Sequence, residues 1–325
     1  MRWLVTGAAG FIGSHLVERL LSLGQMVTGL DDFSTGHGRN LDEARAAVGD
    51  EAWRRFRLVE GDVADGAVCR EACGDVDYVL HHAALASVPA SVEDPLACHR
   101  SNVTGFLELG LAARDGGAKR LVYASSSAVY GDDPQLPKRE GFALKPLSPY
   151  AATKVMDELY AMLFGDLYGL SAVGLRYFNV FGPRQDPKGA YAAVIPSWIS
   201  LLVRGEEPRL YGDGSQTRDF CHVADVVQAN LLAACAGPEL TGRVYNVACG
   251  RSLTLIELFD AIRSALAKKR PWVKELGLRR LPERAGDIRH SSASIEAITA
   301  DLGFAARHDM ASGLAESLDW YLEHP

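Results

Sequence analysis

Residues Thr6 to Gly13 read Thr-Gly-Ala-Ala-Gly-Phe-Ile-Gly, between the apolar run Trp3-Leu4-Val5 and an amphipathic stretch that reaches Leu23. A strand, a glycine-rich turn and a helix in that order leave few folds open. Gly7, Gly10 and Gly13 let the backbone turn tightly and approach a pyrophosphate, which sits at the N-terminus of the helix expected through Ser14 to Leu23. Gly24 is the expected helix stop. The next apolar run, from Met26 to Leu30, ends in Asp31-Asp32. A carboxylate at Asp31 accepts from an adenosine ribose 2′-hydroxyl and repels a 2′-phosphate. The unit therefore predicts a dinucleotide site that takes NAD in preference to NADP. A glycine turn without a ligand would need neither the helix nor the acid.

The strand–helix alternation continues. Strands are expected at Phe56–Glu60, Val76–Leu80, Arg120–Ala124 and Ser171–Arg176, with a long helix from Pro95 to Ala113 that contains Asn102. Six strands alternating with helices predict an α/β fold with a doubly wound parallel (Rossmann) sheet. Such sheets bind ligands beyond their strand C-termini. Asp62-Val63, Ala83, Ser126 and Asn179 all fall there. Asp62 suits an adenine amino group, or equally the cap of the next helix. The small residues at Ala83-Ala84 allow close approach of a cofactor, whereas His82, with no acid or nucleophile beside it, reads as structural.

Ser148-Pro149-Tyr150-Ala151-Ala152-Thr153-Lys154 reads as another helix start. Ser148 suits the N-cap and Pro149 the first helical position. Tyr150 and Lys154, four residues apart, share one face. A nearby ammonium favours phenolate over phenol, so the pair can shuttle a proton to and from a hydroxyl.

After Arg176 the alternation breaks into a Gly/Pro-rich segment. A helix is expected near Val194–Val203 and a strand returning to the sheet at Val244–Val247, with a smaller C-terminal substrate-binding lobe. Arg184, Arg218 and Arg284 lie in loops, and guanidinium groups there suit phosphate recognition. The net charge of −7 argues against nucleic acid or an anionic membrane as a main partner. Lys268-Lys269-Arg270 reads as a solvated helix end. The six cysteines are scattered without a Cys-x-x-Cys pair, so no metal site and no disulfide framework is expected. The N-terminus enters a strand directly, with no signal-peptide pattern and no span-length apolar run, so a cytoplasmic protein is expected.

These residues together resemble the extended short-chain dehydrogenase/reductases that modify nucleotide sugars. The likeness runs through the Thr6–Gly13 loop, Asp31, Asp62-Val63, His82-Ala83-Ala84, Asn102, the serines before Val129-Tyr130-Gly131, Tyr150 with Lys154, Tyr177-Phe178-Asn179, Thr217-Arg218-Asp219 and Arg284–Asp287. Within that group, Gly36–Glu43 and Arg184–Pro196 are most similar to the UDP-N-acetylglucosamine 4-epimerases of the UDP-hexose 4-epimerase family. Ala90 stands where that branch carries arginine.

The resemblance implies C4 epimerisation of a UDP-sugar through a 4-keto intermediate, with NAD as hydride carrier. Tyr150 would be the base, Ser126 would bond the sugar 4-oxygen with help from Ser127, and Lys154 would hold the nicotinamide ribose. Cofactor contacts would come from Gly7, Gly10, Phe11, Ile12, Gly13, Asp31, Asp32, Asp62, Val63, Ala83, Asn102, Tyr150, Lys154 and Tyr177. Asn179, Arg218, Arg284 and Asp287 would hold the diphosphate and uridine ribose, and Val194, Trp198 and Tyr211 the uridine. Ser291 is small at a position lining the family's sugar pocket, which implies room for an N-acetyl group. UDP-GlcNAc/UDP-GalNAc would then be preferred to UDP-Glc/UDP-Gal.

Three alternatives remain. A UDP-uronate 4-epimerase would place its carboxylate near Ser87. A 4,6-dehydratase or decarboxylase would carry an acid where Ser127 and Ala128 stand. A non-catalytic NAD-binding scaffold or sensor would be free to lose Tyr150. The expected division is an NAD-binding domain of residues 1–176 with about 223–250, and a UDP-sugar-binding lobe of 177–222 with about 251–325. Family members pair the Asn102 and Tyr150 helices across a homodimer, and Leu107, Leu111, Leu159 and Leu163 are compatible with that.

Overall fold

The computed structural model describes residues 1–187, 192–283 and 289–324. Seven strands form the central sheet: β1 (Arg2–Thr6), β2 (Met26–Asp31), β3 (Phe56–Glu60), β4 (Tyr78–His81), β5 (Arg120–Ser126), β6 (Ser171–Tyr177) and, after shorter strands, β11 (Val244–Val247). Their order is β11-β6-β5-β4-β1-β2-β3, and every pairing is parallel. The strand order reverses between β1 and β4, which opens a crevice above their C-terminal ends.

Period-two alternation explains why helices cover both faces. Trp3 and Val5 of β1 point into a core with α1 (Phe11–Ser22), α9 (Val223–Cys235) and α11 (Glu296–Leu302). Leu4 points the other way, toward α3 (Gly66–Ala72), α6 (Gly105–Asp115) and α7 (Pro149–Tyr168). α2 (Gly38–Trp53) packs beside α1.

α4 (Val88–Glu93) and α5 (Pro95–His99) precede α6. The long helix expected from Pro95 is not regular, because a π-helical turn at Arg100–Thr104 joins α5 to α6 and holds Asn102. Such turns concentrate at functional sites. α7 starts as its sequence dictates: Ser148 Oγ accepts from the Ala151 amide at 3.1 Å, and Pro149 follows the cap.

The chain beyond β6 builds another core from α8 (Val194–Val203), α10 (Leu255–Ala267) and α12 (Met310–Glu323), in which Trp198, Phe259, Leu314 and Tyr321 are buried together. Three short two-stranded pairings lie apart from the central sheet. β7 (Val180–Phe181) joins β10 (Cys221–His222), β8 (Arg209–Tyr211) joins β13 (Arg279–Leu281), and β9 (Thr217–Asp219) joins β12 (Ser252–Thr254). Among the described residues no helix is long and apolar enough to cross a membrane.

Candidate active site

The glycine loop sits at the switch point. Gly7 has φ +66°, and a Cβ there would lie 2.8 Å from the Ala83 amide nitrogen; a Cβ on Gly13 would lie 1.9 Å from the Gly7 carbonyl oxygen. Both positions therefore exclude side chains. α1 begins at Phe11 without a side-chain cap and without an acid in its first turn. Its first N–H groups, at Phe11, Ile12 and Gly13, have no intrahelical partner and suit a diphosphate. Gly10 donates to the Gly7 carbonyl at 3.0 Å and closes the turn. Asp31 ends β2, with Oδ2 accepting from Ala9 N and Oδ1 from Phe33 N, both at 2.8 Å. Burial pushes its carboxyl up, against those two donors. A cradle too tight for any Cβ, an uncapped helix start and an acid at the strand tip fit NAD.

Other residues expected at the cofactor also make bonds within the protein. Asp32 is exposed and bonds Ser34 N at 2.9 Å in its own turn. Asp62 accepts from Ala64 N and pairs with Arg100, each at 2.8 Å, while the cap of α3 is Asp65. Val63 is core, packed under Gly105. Ala83 N donates to Thr6 Oγ1, which also takes the His82 amide and bonds His81 Nδ1. That ties the end of β4 to β1. Asn102 is wholly buried and spends its amide on the protein, with Oδ1 accepting from Leu85 N at 2.8 Å and Nδ2 donating to Thr153 Oγ1 at 2.9 Å. It fixes the loop after β4 to α7. The Tyr177 hydroxyl bonds His82 Nε2 at 2.9 Å and accepts from Asn230 Nδ2 at 2.8 Å, and burial pushes the phenol up. His82 is thus structural, as its sequence context suggested.

Ser126 ends β5, where its hydroxyl caps the 3-10 turn Ser127–Tyr130 by accepting from Ala128 N at 3.2 Å. Ser127 follows it, half-buried. That turn packs on α7, whose first turn carries Tyr150. The Tyr150 amide donates to Ser91 Oγ at 3.1 Å, so α4 anchors the start of α7. Lys154 is buried, and its Nζ donates to Asp157 Oδ2 at 3.1 Å. Burial pulls the ammonium down, but Asp157, then Tyr150, outweigh it, and the net direction is upward. Burial raises the Asp157 carboxyl to about 6.

A cavity of 1410 Å³ is lined by Asn179, Val194, Trp198, Tyr211 and Arg218, with Pro89 of α4 also in its wall. Five expected substrate residues therefore share one space. Trp198 is only 4% exposed and stands edge-on to Phe259, so it belongs to the lobe core as well as to the cavity wall. Asn179 Nδ2 donates to the Asp219 carbonyl at 3.1 Å, and Arg218 Nη1 to the Thr217 carbonyl at 2.9 Å. Ser291, half-buried, donates its amide to the Thr217 carbonyl at 3.0 Å, one residue from Arg218. Ser87 caps α4 by accepting from Ala90 N at 3.2 Å. Arg284 and Asp287 lie outside the described residues.

Arg184, a loop arginine suited to phosphate, is engaged by carboxylates. It is buried, with its guanidinium paired to Glu18 on α1 and to Glu43 on α2. Asp157, Glu158 and Asp219 carry parts that sequence reasoning missed. Asp219 is wholly buried, accepts from Cys249 N at 2.9 Å, and is raised to about 7 by burial. It gathers the loops around Arg218 and Ser291. Its place in Thr217-Arg218-Asp219 was the available signal.

Comparison with known proteins adds to this geometry. Residues 3–248 match the NAD dependent epimerase/dehydratase family. A UDP-glucose 4-epimerase of Mycolicibacterium smegmatis is 38% identical over 323 residues, 99% of this chain and 98% of the relative. The solved structure of a UDP-N-acetylglucosamine 4-epimerase from Methanobrevibacter ruminantium M1, in complex with UDP-N-acetylmuramic acid, is similar with TM-score 0.91 and 40% identity, covering 100% of this chain and 99% of that one. A Thermotoga maritima UDP-glucose 4-epimerase with UDP-glucose is similar with TM-score 0.90 and 33% identity, covering 99% of each chain. With the glycine loop, Asp31 and the Tyr150–Lys154 helix in place, these matches mean that the chain belongs to the NAD dependent epimerase/dehydratase family, among the extended short-chain dehydrogenase/reductases.

Proposed function

We propose that the protein interconverts UDP-sugars at C4 through a 4-keto intermediate, with UDP-GlcNAc/UDP-GalNAc preferred to UDP-Glc/UDP-Gal. The arrangement that supports this reading is Tyr150 at the head of α7, which packs on the turn capped by Ser126, together with the cavity lined by Asn179 and Arg218. NAD, held by the Gly7–Gly13 loop and Asp31, would supply a reversible hydride acceptor for C4.

The chain does the rest. Tyr150 takes the proton from the 4-hydroxyl and gives it back, so no proton is lost overall. Ser126 Oγ hydrogen-bonds the same oxygen, and Ser127 lies next to it. Lys154 supports the phenolate by its charge and reaches the cofactor ribose. Asp31 takes the adenosine ribose, and the Phe11–Gly13 amides the cofactor diphosphate. Asn179 and Arg218 hold the substrate diphosphate, with Arg284 and Asp287 as further ligands. The residues after Ser126 are Ser127 and Ala128, with no acid for the extra elimination step of a dehydratase. Ser291 supports N-acetyl tolerance because it is small and borders the Arg218 loop. Residues 177–222 with about 251–325 form the UDP-sugar lobe, except for α11, whose Ile298 and Leu302 pack in the core of the central sheet.

The partner is a second copy of the chain. Met156, Leu159, Tyr160, Leu163 and Leu167 are exposed along one stripe of α7, as a helix-bundle homodimer requires.

The test is incubation of the purified protein with UDP-GlcNAc, without added cofactor, and separation of the products. UDP-GalNAc is expected. No product even with added NAD⁺ would shift the reading to UDP-uronates. Silence there too, with NAD bound, would favour a non-catalytic scaffold.

A further inference from the structure

One helical step beyond Lys154, Asp157 is a carboxylate to which the reaction as described gives no part. It is 0% exposed, and Lys154 is 2% exposed. Asp157 Oδ2 accepts from Lys154 Nζ at 3.1 Å, while Oδ1 is buried without a hydrogen-bond partner. The neighbouring Glu158 does not compete for Lys154, because Arg176 and Ser125 take both of its oxygens. Asp157 is therefore the one carboxylate bonded to Lys154 among the described residues.

A lysine closed off from water tends to lose its proton, and full burial lowers such a group by about 3–5 units when nothing opposes it. A neutral Lys154 has no charge with which to support a Tyr150 phenolate. We propose that Asp157 is a positioning residue for Lys154: it fixes the nitrogen on α7 and keeps it an ammonium inside a dry site. This rests on the reading of Tyr150 and Lys154 as the proton-transfer pair.

The titratable groups around the pair are Tyr150 and Glu158 on α7, Cys98 on α5, His81 at the end of β4 and His82 just after it, and Tyr123 on β5. Burial drives His81 well down and His82 to about 3, while it pushes the Cys98 thiol and the Tyr123 phenol up. The histidines are therefore neutral from about pH 7 upward, and burial holds Cys98 and Tyr123 toward their neutral forms. Arg176 is held charged by Glu158 despite burial. A new basic limb in an Asp157 variant then reports Lys154.

The experiment compares wild type with Asp157→Asn, which keeps the shape and removes the charge. It follows kcat/KM against pH and, without substrate, the 13C NMR titration of the Lys154 side chain, assigned by its loss in Lys154→Met. Expected is a Lys154 midpoint at least about 2 units lower in Asp157→Asn. Activity relative to its own value at pH 7 then falls about fourfold or more by pH 9, where wild type stays level. Asp157→Ser, should the first variant fold poorly, gives the same displacement. An unmoved Lys154 midpoint, or a rate loss by one factor at every pH, overturns the proposal. If no UDP-sugar turns over at all, the epimerase reading fails, while the NMR titration still decides the part of Asp157.

Discussion

Glu158 on α7 and Arg176 on β6 make a two-pronged ion pair, with Arg176 Nε to Glu158 Oε1 at 2.8 Å and Nη2 to Oε2 at 2.7 Å. Both side chains are buried, and the same guanidinium donates to the Tyr130 hydroxyl at 2.8 Å. The pair clamps the helix that carries Tyr150 to the sheet, and Ser125 joins it from the end of β5. Removing one partner leaves a buried charge unmatched. Arg176→Met should cost about 3–5 kcal/mol in urea unfolding, whereas Arg176→Met with Glu158→Leu should cost clearly less. Equal losses for the two variants would mean that packing, not charge, holds this joint.

Gly13 faces a backbone carbonyl that cannot move aside, because Gly7 O also closes the loop through Gly10. Gly13→Ala should lower co-purified NAD at least roughly tenfold and depress Tm. Gly38→Ala is the control, since a Cβ there meets nothing within 4 Å. Both variants are compared by cofactor release on denaturation and by calorimetry.

Tyr150→Phe keeps the ring and loses the proton carrier. Turnover should drop by about 10²–10⁴ with NAD content unchanged. Ser126→Ala should lose less, because it removes one hydrogen bond and not the base. Retention of full activity by Tyr150→Phe would move the base elsewhere.

Ser291→Tyr tests the sugar gate. Conversion of UDP-GlcNAc should fall about tenfold or more, with UDP-Glc spared. Equal loss on both substrates, measured by product chromatography, would remove Ser291 from the sugar pocket.

His222 is buried at the start of α9, with Nε2 3.2 Å from Ser317 Oγ, and burial, then the charge of His308, lowers it to about 4. Its folded value lies below the unfolded one of about 6.5. The neutral ring's contribution is thus fully present above about pH 6.5 and is lost as pH falls toward 4. Wild type should lose up to about 3 kcal/mol across that window that His222→Gln does not lose. Unfolding midpoints of the two proteins at a series of pH values give the difference directly, and parallel curves would contradict it.

Much of the site was legible because its signals are local. Gly7 needs a positive φ wherever the rest of the chain goes. Ser148 caps α7 through an amide only three residues on, and Tyr150 and Lys154 share a face by helical spacing alone. Asn102 and Tyr177 were visible as positions but not as roles, since their partners Thr153, His82 and Asn230 come from distant segments. Arg184 misled because a loop arginine looks alike whether it faces a phosphate or Glu18 and Glu43.

By itself the sequence determined the alternation of strands and helices, the order of the sheet's first six strands in the chain, and the dinucleotide loop with its acid. Backbone geometry and side-chain period dictate these within a few residues. Only the tertiary structure decided which charges are removed from water. Lys154 and Asp157 are an i,i+3 pair that on an exposed helix would be worth a few tenths of a kcal/mol. Packed between β4, β5 and α5, the same two groups become a buried ion pair. Water screens the first and is absent from the second, and its absence is set by residues far away in the chain.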